Sequence, residues 1–185
     1  GQHYPVWMLR LIIPDTKYFD AFAEMTVEWH DIAETGHGLS GAVRVFSSES
    51  EFIEWVDGLH RSETSPQPGW VTCSYFWIFD DHEFVGGLSL RHELNDRLRY
   101  YGGHIGYSVR PSRRGQGIAT WALHEGLKHA AARGIESALV MCDDDNLASA
   151  RVIEKCGGVL EDVRIVQPHG STESVLGRSY WVPTS

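Results

Sequence analysis

Val109-Arg110-Pro111-Ser112-Arg113-Arg114-Gly115-Gln116-Gly117-Ile118-Ala119-Thr120 decides how this chain is read. An apolar strand runs into a turn holding two glycines, and a strongly periodic helix follows at once. The first N–H groups of a helix have no intrahelical partner, and the helix dipole favours negative charge beside them. Such a head seats a phosphate or diphosphate, and Gly115 and Gly117 let the backbone approach it closely. The spacing is not a Walker loop, which needs a Lys-Ser/Thr pair, and Thr120 breaks the G-x-G-x-x-G pattern. Taken alone, the stretch is either an anion cradle or merely a tight strand-to-helix turn.

Downstream, Ile118, Ala122, Gly126 and Ala130 fall at i, i+4 spacing beside Ala119, Leu123 and Leu127, and Gly134 closes that helix. A short strand over Ala138–Cys142 leads through Asp143-Asp144-Asp145 into a helix opening on Asn146. Val159–Val166 and Arg178–Val182 read as a closing strand pair joined by a polar loop, 167–177. Upstream, a charged connection over 92–103 precedes the strand His104–Val109. Before it, Val71–Phe79 and Phe84–Arg91 read as strands turned by Asp80-Asp81-His82. Met8–Ile13 is a strand stopped by Pro14. A helix from Thr16 shows Tyr18, Phe22, Met25, Trp29 and Ile32 on one face, with Gly36-His37-Gly38 as its stop. The capping box Ser48-x-x-Glu51 opens a second helix carrying Phe52, Val56 and Leu59, and the two prolines of 62–69 mark a loop.

With 185 residues and 42% hydrophobic content, one domain over 1–185 with a real core is expected. Sixteen basic against 25 acidic residues leave a net charge of −9, which argues against nucleic acid as a partner. That balance suits a cationic acceptor, although surface acid is also simply solvating. Cys73, Cys142 and Cys156 lack C-x-x-C spacing, so they read as ordinary buried thiols in a reducing, cytoplasmic setting, with no metal site. No run approaches membrane-spanning length, and no signal peptide is visible.

Arg114-Gly115-Gln116-Gly117-Ile118-Ala119 resembles the Arg/Gln-x-x-Gly-x-Gly/Ala signature of the GCN5-related N-acetyltransferases (GNAT), and Gly103-His104-Ile105-Gly106-Tyr107 is similar to a bacterial branch of them. A second match, Asn146-Leu147-Ala148-Ser149-Ala150-Arg151-Val152-Ile153-Glu154-Lys155-Cys156-Gly157-Gly158, looks like that family's next helix. Together they cover roughly residues 84–166. The resemblance implies an α/β (α+β) fold: a mixed, mostly antiparallel sheet of six to seven strands, splayed where acyl-CoA enters, with about four helices.

It also implies acetyl-CoA as cosubstrate, its diphosphate on the N–H groups of Arg114, Gly115, Gln116, Gly117, Ile118, Ala119 and Thr120. Pantetheine would lie along Tyr107, Ser108 and Val109, with the Val109 N–H as oxyanion donor. Asn146 would meet the cofactor arm or serve as a helix N-cap, and Ser149 one turn on would share that side or be structural. Two positions depart from the family pattern. Ile153 stands where many relatives carry a Tyr that protonates the CoA thiolate. His104 stands where several carry a Glu base; with an ordinary pKa of about 6.5 it is either that base or a buried strand histidine. Tyr107 is either sheet packing or an acid.

Arg91, His92 and Asn95 are placed to line the acceptor side, and Trp29, Trp55, Trp70 and Trp77 are either core or acceptor pocket. The remaining histidines lack metal-ligand spacing, and loop 167–177 is a candidate lid. The expected function is acetyl transfer from acetyl-CoA to an amine of a small molecule or peptide by direct attack in a ternary complex. An acyl-CoA-binding sensor on the same fold is the alternative, with transfer to a hydroxyl or of a longer acyl group behind it. Relatives often pair through sheet edges, so a homodimer stays open.

Overall fold

In this computed structural model, which describes residues 8–29, 46 and 48–185, seven strands form one sheet. They are β1 (Leu9–Ile12), β2 (Cys73–Asp80), β3 (Glu83–Arg91), β4 (Ile105–Val109), β5 (Ser137–Asp143), β6 (Val159–Val166) and β7 (Val175–Pro183). The spatial order is β1-β2-β3-β4-β5-β7-β6. Every neighbouring pair is antiparallel except β4 and β5, which run parallel and pair only at Ile105 and Val140. The helices are α1 (Phe19–Trp29), α2 (Glu49–Arg61), α3 (Asp96–Tyr100), α4 (Ile118–Ala132) and α5 (Leu147–Lys155). The mixed α/β sheet with four longer helices agrees with the reading of the sequence.

Two elements differ from that reading. The connection 92–103 contains α3, capped by the Asn95 Oδ1, which accepts the Leu98 N–H at 2.9 Å. Five residues are too few for a periodic apolar face to announce a helix. β7 begins at Val175, because Val175 and Leu176 pair with Val166 and Ile165, so the connecting loop is 167–174. Ile32 and the stop at Gly36-His37-Gly38 lie outside the described residues, as does the side chain of Trp29.

Helices cover both faces. On one, α4 and α5 bury Ile118, Ala122, Leu123, Leu127 and Ile153 against Leu88, Leu90, Ile105 and Val140. On the other, α1 and α2 bury Phe22, Met25, Phe52 and Val56 against Trp77, Phe79 and Phe84. Each such large apolar side chain contributes roughly 1.5–3 kcal/mol by leaving water. A bulge makes both packings possible: the β2–β3 register slips at Ile78/Phe79, with Val85 as the extra residue. Phe84 therefore faces one layer while Leu88 and Leu90 face the other.

A charged strap ties α1 to the turn ahead of α4. Arg110, only 5% exposed, donates to both carboxylate oxygens of Glu24 at 2.7 Å and to Glu28 at 2.8 Å. Arg113 holds Asp80 at 2.7 Å and also Glu83. The Arg110 guanidinium, helped by Ser112, draws the Glu28 carboxyl from 4.5 down to about 2. A carboxyl held below its ordinary value adds stability that is complete above about pH 4.5 and is lost as the pH falls toward 2. Thermal midpoints followed down this range should fall more steeply for the native chain than for Glu28→Gln; parallel curves would remove Glu28 from the acid response.

Candidate active site

α4 opens on Gly117, whose backbone is left-handed at φ +83°, and no side chain caps its first turn. Gly115 is also left-handed, at φ +77°, and no other atom lies within 4 Å of where a Cβ would stand on either residue. Trp121 N–H closes the first turn on Gly117 O, so the N–H groups of 118–120 have no acceptor within the helix. Nearby side chains are engaged away from this head: Arg114 Nε donates to Val109 O at 3.0 Å, and Arg113 Nε to Gln116 Oε1 at 3.0 Å. The side chains of Ile118 and Val109 are buried, which leaves these two residues only main-chain groups to offer. An uncapped, open head of this kind fits a diphosphate.

The same turn sits at the end of β4, beyond the strand's parallel pairing with β5 at Ile105. Arg91 N–H bonds His104 O, and Arg110 N–H bonds Val85 O. Antiparallel alternation between these bonds turns the even-numbered amides of β4 toward β3. The amides of Tyr107 and Val109 therefore face β5, from which β4 has already parted after Ile105. The sheet is open here: the Tyr107 and Val109 amides have no strand partner among the described residues, and the Val109 carbonyl is taken by Arg114 Nε.

Beside the gap lies a cavity of 590 Å³. Tyr107, Cys142, Asp143, Asn146 and Ser149 line one end, while none of residues 110–121 does. Tyr107 Oη and Ser149 Oγ are hydrogen-bonded at 2.7 Å, across 42 residues of sequence. Burial raises the Tyr107 hydroxyl well above its ordinary value, so it stays protonated. Asn146 Oδ1 accepts the Ser149 N–H at 3.1 Å as the α5 N-cap, and it lines the cavity as well. Ile153 is wholly buried in the core and carries no proton to the site. Ser108 Oγ is buried with no hydrogen-bond partner among the described residues.

His104 is placed otherwise than a base requires. It is 7% exposed, does not line the cavity, and its Nδ1 accepts the Leu139 N–H at 2.9 Å. Its own N–H bonds Leu139 O at 2.8 Å. Burial, with the Arg91 charge, lowers its pKa from 6.5 to about 4. The ring is neutral at working pH, and the lone pair needed for proton abstraction is spent on a backbone amide. Gly103 allows this contact, since a Cβ there would stand 2.4 Å from Leu139 O. A count along the sequence locates this histidine but not the direction of its ring.

At the other end the cavity is walled by Trp55, Trp70, Tyr75, Arg91 and Asn95, with Pro168 and His169 from the β6–β7 loop. His92 is turned away, bonded to Ser74 Oγ at 2.7 Å and Thr72 Oγ1 at 2.8 Å. Trp77 is core. Cys142 departs from the expected buried thiol: it is only partly covered and stands in the cavity wall. Burial still pushes its thiol up to about 11, so it is protonated at neutral pH. Asp144 is paired with Arg178 at 2.6 Å, whereas Asp143 faces the cavity with its pKa raised by burial and by Asp145. Tyr75 and Tyr101 carry no local motif and reach the cavity only through strand register and the α3 turn.

An open helix head, a split sheet and a cavity of mixed polar and apolar lining beside it are compatible with a CoA thioester and a second substrate. The chain belongs to the GNAT acetyltransferase family, whose domain model matches residues 9–159. Among solved structures it is similar to RimL, the ribosomal L7/L12 alpha-N-protein acetyltransferase in complex with coenzyme A, at 22% identity over 96% of each chain, TM-score 0.67. Mycobacterium smegmatis RimJ with a CoA disulfide is 23% identical over 94% of this chain and 81% of its own, TM-score 0.67. The microcin C7 self-immunity acetyltransferase MccE, in complex with acetyl-CoA and AMP, is 17% identical over 92% and 91%, TM-score 0.65. No curated protein sequence matches the chain significantly. No helix among the described residues is long and apolar enough to cross a membrane.

Gly117→Ala puts a methyl group over the open head and forces a left-handed alanine, at about 1–2 kcal/mol of strain. Calorimetric titration should show CoA binding weakened by at least about tenfold; unchanged affinity would empty the head of its role. His104, with a folded value near 4, contributes stability that is present above pH 6.5 and lost as the pH falls through that window. His104→Gln should therefore flatten the dependence of thermal stability on pH between those values; an undiminished slope would contradict the buried neutral ring.

Proposed function

We propose that this protein, as one acetyltransferase domain, transfers an acetyl group from acetyl-CoA to an amine of a small molecule or peptide, by direct attack in a ternary complex. The observation that carries the reading is the opening between β4 and β5, which joins the uncapped α4 head to the cavity. The N–H groups of 114–120 would hold the diphosphate, and the β4 edge would hold the pantetheine arm. Bound acetyl-CoA supplies the activated acyl group. The likeness to RimL, which acetylates the N-terminus of ribosomal protein L7/L12, favours a peptide or peptide-like amine.

The chain's own groups divide the remaining work. The Val109 N–H points into the gap as the donor for negative charge developing on the carbonyl oxygen. Ser149 Oγ–H is the proton donor for the departing thiolate, while Tyr107 Oη–H, 2.7 Å away, passes its proton to Ser149 and regains one from solvent in the cavity. This pair takes the place of the hydroxyl that Ile153 lacks. Asp143 draws the acceptor's ammonium into the cavity and takes its proton through water, a role closed to His104. Asn146 fixes Ser149 by accepting its amide.

Thiol release from acetyl-CoA across amines and short peptides tests the reading. Ser149→Ala should lower kcat by about a hundredfold, and Tyr107→Phe less, with the KM for acetyl-CoA little changed. If CoA binds while no amine or peptide is acetylated, the sensor reading replaces this one.

A further inference from the structure

We propose that the acceptor carries an anionic group, a carboxylate or a phosphate, which Arg91 and Arg97 neutralise at the end of the cavity remote from Ser149. The inference deepens the acetyl-transfer reading and rests on it. Arg91 closes β3 and is half-buried in the cavity wall. Its Nη1 donates to the carbonyls of Gly102 at 3.0 Å and Gly103 at 3.4 Å, and no carboxylate among the described residues lies within ion-pair distance. The groups nearest to it that can ionise are thiol and phenol groups, Cys73, Tyr75 and Tyr101, and burial keeps Cys73 and Tyr75 protonated. A guanidinium in such a place is costly unless something negative meets it.

The contrast with other arginines sharpens the point. Arg99, Arg110, Arg113, Arg133, Arg164 and Arg178 each have a carboxylate partner. Arg91 is left with neutral neighbours in a chain of net charge −9. Arg97 adds a second cation on the same wall, its guanidinium 5.1 Å from the centre of the Trp70 ring. Asn95 braces that corner, its Nδ2 donating to Gly69 O at 3.2 Å. The one carboxylate among the lining residues, Asp143, stands on the strand that also carries Cys142, beside Ser149. The cavity is thus polarised: an acid where the amine must arrive, two guanidinium groups where the rest of the acceptor ends. A fork of N–H donors suits a carboxylate or phosphate, and Trp70 offers a flat apolar face beside it.

The test is binding to the CoA-loaded protein, which does not depend on turnover. Three probes share one body: N-acetyl-tyrosinamide, neutral; N-acetyl-tyrosine, with a carboxylate; and N-acetyl-O-phosphotyrosinamide, with a phosphate. Calorimetry should show one anionic probe bound at least about tenfold more tightly than the neutral one, and the winner names the anion. Arg91→Met should erase that preference, Arg91→Lys should keep part of it, and Arg97→Gln, at an exposed position, should reduce it without disturbing the fold. A merely structural Arg91, holding Gly102 and Gly103, would weaken all three probes alike, and that result overturns the proposal. So does equal binding of the three, or no binding up to about 10 mM. Anion preference without acetyl transfer would instead strike the proposed function and leave the subsite standing.

Discussion

The fold turns on a single backbone pairing, Ile105 with Val140. The two parallel strands are held at one point and diverge beyond it, with no further backbone pairing between them among the described residues. The pairing is secured from behind by His104, which gives its N–H to Leu139 O and takes the Leu139 N–H on its ring. With the near ends clasped, the far ends of β4 and β5 form a wedge along which the Tyr107 and Val109 amides have no strand partner among the described residues, while Arg114 Nε takes the Val109 carbonyl. Burying such an edge without partners is unfavourable, so it is a place for a ligand with amide groups of its own. The open head of α4 lies directly beyond the end of β4.

Charge is distributed to match this layout. The strap of Arg110 with Glu24 and Glu28 fixes α1 against the turn that leads into α4, and Arg113 ties that turn to the β2–β3 hairpin. The turn is thereby braced from both sides, and among the described residues no side chain caps the first turn of α4. In the cavity, acid and base are separated rather than paired, with Asp143 at one end and Arg91 at the other. That separation is what the proposed acceptor, an amine with an anionic group, would need.

Sequence made the local features legible and left the long-range ones hidden. Gly115 and Gly117 could be read because a left-handed backbone at a helix start depends on neighbouring residues alone. Asn146 as a cap and Phe52, Val56 and Leu59 as a buried face follow from spacing of the same short range. The partnership of Tyr107 with Ser149 spans 42 positions and depends on how α5 packs over the sheet, which no spacing encodes. Glu24 and Glu28, four residues apart, look like a solvated helix face until Arg110 is brought beneath them. His104 shows the limit most plainly. Its place on the strand is readable, but the burial that turns it from titratable group to backbone clasp is a property of the assembled sheet.

The mounting of the reacting groups has a mechanical consequence. Val109 and Tyr107 sit two residues apart on β4, and β4 is laced to β3 along its whole length and backed by α4. β5 is laced instead to β7, and through it to the outer strand β6. The wedge thus opens between two hydrogen-bonded halves, β1–β2–β3–β4 and β5–β7–β6, which Tyr107 Oη and Ser149 Oγ bridge at 2.7 Å. A ligand in the wedge therefore meets groups from both halves at once, Tyr107 and Val109 from β4 and Ser149 and Asp143 from α5 and β5, so the register between the halves sets how the two sets of groups line up.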